Sequence, residues 1–130
     1  MKHNLMLTIT SLLSLLLLTF HQADDVVLHL SPPGFLNIAG VAIMVVWLYG
    51  TLVLAGRRSG YIIVLLGSIL AAGVPVIHMS GSNGMMGPRV SASGHPLFFV
   101  WTCLAIGATS VFSALLAGRG LSSLRSGQSR

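Results

Sequence analysis

Apolar side chains fill residues 5–20, 36–56, 61–80 and 97–118 almost without interruption, and the charged residues fall in the short gaps between these runs. At about 1.5 Å of rise per residue, a hydrocarbon core about 30 Å thick is crossed by about 20 helical residues. A soluble protein of 130 residues could not bury four helices that are apolar all round. The pattern therefore predicts an all-α fold, an integral membrane up-down bundle of four transmembrane helices. Residues 1–118 form the transmembrane domain in this reading, and residues 119–130 a basic cytoplasmic tail, polar and frayed.

The breaks between runs carry their own signals. Lys2 followed by an apolar run imitates a secretory signal, but cleavage after Ala23 would place His21 where a small residue is preferred. A retained first helix is expected, continuing through His21, Asp25 and His29 until Pro32-Pro33-Gly34 stops it. Arg57-Arg58-Ser59-Gly60 is short enough to make the second and third helices antiparallel neighbours. Pro75 removes a backbone donor and should bend the third helix just before His78. Ser93 is the expected N-cap of the fourth helix, with Pro96 near its first position. Small residues at spacing four, Gly67 with Ala71 and Ala114 with Gly118, suit close helix approach in lipid.

Charge turns this pattern into a topology. With the N-terminus in the cytoplasm, Lys2, Arg57, Arg58, Arg119, Arg125 and Arg130 lie inside, and only Arg89 lies outside, with Asp24 and Asp25. That asymmetry follows the positive-inside rule and puts both termini in the cytoplasm. Tyr61 and Trp101 fall where interfacial aromatic belts form. The net charge of +5 does not point to nucleic acid, because the cations are scattered over helix ends. The expected partners are the lipid bilayer and either partner membrane subunits or a second copy of the chain.

Composition narrows the chemistry. There is no Glu, no Gly-x-Ser-x-Gly elbow and no phosphate-binding Gly-Lys-Ser/Thr, so no catalytic motif is present. Secondary transport would ask for more helices and ionisable groups at midplane. Cys103, the only cysteine, lies inside the fourth run and reads as a buried packing residue.

One grouping stands out. His21, Asp25, His29, His78 and His95 all fall on the outer side of this topology, as do Met79, Met85 and Met86. On a continuous helix, His21, Asp25 and His29 share one face at i, i+4 and i+8. Imidazole and carboxylate are zinc and copper ligands, and thioether sulfur prefers Cu(I). These five residues are the candidate metal ligands, with Cu or Zn as the ion. The competing reading is that the histidines satisfy backbone groups, that an aspartate pairs with Arg89, and that no cofactor is held.

Several segments carry a resemblance. Val45-Val46-Trp47-Leu48-Tyr49-Gly50-Thr51-Leu52-Val53-Leu54-Ala55-Gly56-Arg57-Arg58-Ser59-Gly60-Tyr61, Gly73-Val74-Pro75-Val76-Ile77-His78-Met79, Phe98-Phe99-Val100-Trp101-Thr102 and Ala23-Asp24-Asp25 resemble a family of small, functionally uncharacterised bacterial four-helix inner-membrane proteins. The resemblance implies a bacterial inner-membrane protein and brings no catalytic residues with it. The expected role is that of a non-catalytic accessory or interaction protein of the membrane. The alternative is a periplasmic-face metal-binding or redox membrane protein built on the outer His, Asp and Met residues.

Overall fold

The computed structural model describes residues 2–30, 34–79 and 84–128, and its regular structure is entirely helical. Pro32 and Pro33 of the first loop, residues 80–83 of the second, and Arg130 lie outside the described residues. The helices are α1 (Lys2–Val27), α2 (Phe35–Leu52), α3 (Arg58–Ala72), α4 (Val74–Ile77), α5 (Pro88–Ser91) and α6 (Pro96–Gln128). Asn4–Val27, Arg58–Ile77 and Pro96–Gly127 are long and apolar enough to cross a membrane, whereas the apolar Asn37–Leu52 is shorter.

Several boundaries depart from the sequence expectation, each for a local reason. α1 stops at Val27, because the chain turns there with His29 in the left-handed region at φ 53°. The Leu30 N–H donates to the Asp25 carbonyl at 2.9 Å and the His29 N–H to the Val26 carbonyl at 3.3 Å. This is the Schellman pattern, which satisfies carbonyls that a helix end leaves open. α2 ends at Leu52 rather than Gly56, where a turn with Gly56 at φ 76° leads into α3. The third helix is two pieces: it stops at Ala72, and the short α4 follows Gly73, with Pro75 in its first turn.

The other departures concern the chain's last run. Ser93 does not cap α6. Its hydroxyl donates to the Val90 carbonyl at 2.7 Å, while the His95 carbonyl accepts the first bonds of the helix, from Phe98 at 3.1 Å and Phe99 at 3.4 Å. α6 then continues as helix through Gln128, so the described part of the tail is not frayed coil.

The helices pack side by side, compatible with a helical bundle, and α6 is its axis, lying against both α1 and α3. α1 and α6 run antiparallel: Ser14 donates to Thr109 at 3.0 Å, and seven residues further along α1 His21 meets Cys103. The core joins Leu15, Leu17, Trp47, Val64, Ile106 and Leu116. Gly67 makes room for Trp47, since a Cβ there would meet the indole at 2.7 Å. The Trp47 indole N–H donates to Ser11 at 2.7 Å, and Ser11 shares a 2.7 Å bond with Thr51. Each such bond contributes about 0.5–1.5 kcal/mol net and fixes helix rotation as well as distance.

This packing gives the bundle two chemically distinct ends. Arg57, Arg58, Arg119 and Arg125 lie with the α2–α3 turn and the end of α6, the arginine end. Tyr61 is buried there, its hydroxyl donating to Asn4 Oδ1 at 2.5 Å, so it is not an exposed belt residue, whereas Trp101 is exposed. Both aspartates and His21, His78 and His95 lie at the opposite, histidine end.

Candidate metal centre

Three elements converge at the histidine end. α1 runs without Gly or Pro past its last apolar turn, so His21 and Asp25 stand one turn apart on the face turned towards α6. The helical ladder is interrupted at Gly73, and α4 continues alongside α6, delivering His78 at its C-terminal cap. Gly107 permits that approach, because a Cβ there would lie 2.8 Å from the Pro75 ring. α6 supplies Phe99, whose ring packs against both imidazoles, with centroids 5.3 Å from His21 and 5.6 Å from His78.

The polar atoms then meet in a small triangle. His21 Nε2 lies 3.2 Å from His78 Nε2 and 3.7 Å from Asp25 Oδ2, and His78 Nε2 lies 3.9 Å from the same oxygen. His21 and Asp25 are buried, at 4% and 7% exposure, and His78 is half-buried. The circle through these three atoms has a radius of about 2.1 Å, against zinc bond lengths of about 2.0–2.1 Å to histidine nitrogen and 2.0–2.2 Å to carboxylate oxygen. The three atoms are thus spaced as the ligands of a divalent ion of this size would be. Without an ion, the 3.2 Å contact suits a hydrogen bond from one Nε2–H to the other Nε2 lone pair.

The surroundings orient the triangle. Cys103 Sγ lies 3.6 Å from His21 Nδ1, the ring nitrogen facing away from the other two ligands. A proton on Nδ1 shared with sulfur leaves the Nε2 lone pair for an ion, the arrangement by which outer partners fix a ligating imidazole. The His78 carbonyl accepts from the Met85 N–H at 2.7 Å, tying the second loop to α4. Leu30, Val90, Phe99 and Cys103 form a second apolar cluster, with Met85 packed on it.

Of the five expected ligands, His21, Asp25 and His78 come together, and His29 and His95 do not join them. His29 is carried off by the left-handed turn and is exposed; its carbonyl accepts from Arg89 Nη1 at 2.8 Å. His95 stands 3.9 Å from Asp24, forming a separate, more exposed pair. Arg89 thus holds the backbone at His29 rather than the carboxylate expected for it. Met79 and Met86 are exposed and Met85 packs in the apolar cluster, so the grouped ligands are nitrogen and oxygen without thioether sulfur.

The sequence marks Cys103 as a packing residue, an expectation that leaves out its contact with His21. The available signal was depth: His21 ends the apolar run of α1, and Cys103 lies near the start of the antiparallel α6. No family model, curated protein or solved structure matches this chain.

Proposed function

We propose that the chain is a multi-pass protein of a bacterial cytoplasmic membrane, with both termini in the cytoplasm, that binds a divalent transition metal at the periplasmic end of its helices. The membrane reading is supported by the inside-out distribution of side chains. Leu16, Val45, Leu66, Ile69, Leu104 and Leu115 point outwards, while Ser11, Ser14, Thr51, Ser68, Ser110 and Ser113 are buried. That pattern is costly in water and natural in lipid, where packing and interhelical hydrogen bonds hold helices together. The clustering of Arg57, Arg58, Arg119 and Arg125 at the end opposite both aspartates supports the orientation.

The observation that carries the metal reading is the triangle of His21 Nε2, Asp25 Oδ2 and His78 Nε2, in the spacing an ion of zinc size needs. Two imidazoles and a carboxylate suit Zn(II) and Cu(II), and the displaced methionines remove the main argument for Cu(I). These three residues would hold the ion, which when bound supplies Lewis acidity and a local positive charge.

Full-length protein, stripped with chelator and titrated with ZnCl2, should bind about one equivalent per chain. Loss of that equivalent in both His21→Ala and His78→Ala, with helicity retained, is the expected result. Undiminished binding in His78→Ala would remove the site. Single cysteines at Ser59, Ser91 or Ser126 in a Cys103→Ser background test the topology: an impermeant thiol reagent should reach only the Ser91 position from the periplasm.

An accessory or interaction role is compatible with this site. Among the described side chains, α2 buries only Trp47, Gly50 and Thr51 and leaves Ile38, Val41, Val45 and Leu48 facing outwards. Those residues are available to lipid, a partner subunit or a second copy.

A further inference from the structure

The arginine end carries a feature with no part in the metal reading. α6 has 33 residues, about 50 Å of helix at 1.5 Å per residue, well beyond the ~30 Å of a hydrocarbon core. Its last turns therefore stand beyond that core, beside the turn between α2 and α3. Between them lies a cleft of about 690 Å3, lined by Arg58 from the start of α3 and by Leu121, Ser123, Leu124 and Arg125 from α6. We propose that this cleft binds the phosphate headgroup of an anionic phospholipid of the cytoplasmic leaflet.

Charge is the first argument. The whole chain has two acidic residues, Asp24 and Asp25, and both lie at the opposite end. Among the described residues, neither Arg58 nor Arg125 has an ion pair, so two guanidinium groups line one cleft with no protein anion between them. Guanidinium is the side chain best matched to phosphate, through paired N–H donors in a planar fork. Basic pockets at helix ends on the cytoplasmic side are suited to such headgroups.

The lining supplies the second argument, which favours a lipid over free phosphate. Leu121 and Leu124 share the cleft with the arginines, placing apolar surface beside the cationic groups. A phospholipid offers the same sequence of chemistry, a phosphate followed by glycerol and acyl chain. Ser123 also lines the cleft, its hydroxyl donating to the Arg119 carbonyl at 2.9 Å. Inorganic phosphate would use the arginines and leave the leucines idle.

The inference rests on the membrane reading and its orientation, and the test separates the two. Full-length protein in detergent is mixed with dioleoylphosphatidic acid or dioleoylphosphatidylcholine, and retained lipid is counted by native mass spectrometry. Wild type should retain the phosphatidic acid with at least about tenfold preference, as expected for two cations acting on one headgroup. Arg58→Gln with Arg125→Gln should abolish the preference with helicity unchanged. Arg57→Gln with Arg119→Gln, which removes the same charge outside the cleft lining, should keep most of it. Equal loss in the two double variants would reduce the effect to diffuse charge and overturn the site. Complete displacement of the lipid by millimolar inorganic phosphate would assign the cleft to the free ion and overturn the lipid proposal. Release of the protein from vesicles by alkaline carbonate would instead overturn the membrane reading itself.

Discussion

Replacing Cys103 by Ala probes whether the histidine end is an organised site. The thiol is fully buried, and Sγ, 3.6 Å away, is the sole described partner of His21 Nδ1. Alanine leaves that nitrogen without its neighbour, so the ring can place its proton on Nε2, the position an ion must occupy. Loss of an outer partner of a ligating group weakens metal affinity by about 10–100-fold, or about 1.4–2.7 kcal/mol. The missing sulfur also leaves a small void between α1 and α6, at a cost of about 1 kcal/mol to folding. The two effects separate in the readout. Zinc competition against a chromophoric chelator reports the affinity, and thermal denaturation of the metal-free protein reports the packing. Cys103→Ala should weaken zinc by the stated factor, and Cys103→Ser, which keeps a hydrogen-bonding atom, by less. Unchanged zinc affinity in Cys103→Ala, with a lowered melting temperature, would refute the orienting role and return Cys103 to simple packing.

Three further outcomes follow from the same geometry. Asp25→Asn should cost zinc binding at least about tenfold, because it removes a ligand charge, whereas Asp24→Asn, at the separate pair with His95, should change it less than about threefold; equal effects on the two would deny Asp25 its special place. Gly107→Leu touches no ligand, but a Cβ at this position meets Pro75 at 2.8 Å, so displacement of α4 should carry His78 away and reduce zinc affinity, as the same titration would show. Zinc at about 100 times its dissociation constant should stabilise the fold by about 2.7 kcal/mol, and EDTA should reverse the rise in melting temperature; a melting temperature indifferent to zinc would mean that no ion binds the folded state preferentially.

The sequence reading reached the helical class and the number of apolar runs because hydropathy is local: each run is legible from its own residues. It erred where ends are decided by contacts between distant segments. Nothing in Val26-Val27-Leu28-His29-Leu30 marks a helix stop, and the expected continuous face carried His29 into the site. In the structure Leu30 is buried with Val90 and Phe99 from the far end of the chain, and the left-handed turn at His29 puts it there. The interruption expected from Pro75 does occur, at Gly73 just before it, but the sequence does not say that Pro75 would pack over Gly107 of α6.

By itself, then, the sequence determined that the chain is helical, where its apolar segments lie, that its cations and carboxylates are segregated, and that nitrogen and oxygen ligands gather on one side. Only the tertiary structure decided which of those ligands meet. Meeting depends on the rotation of each helix about its axis and on the path of each loop. Both are fixed by long-range contacts: Trp47 on Gly67 and Ser11, Pro75 on Gly107, and Leu30 on Phe99. A spacing of four along α1 could pair His21 with Asp25, but it could not bring His78 across from another helix or set Cys103 behind the ring.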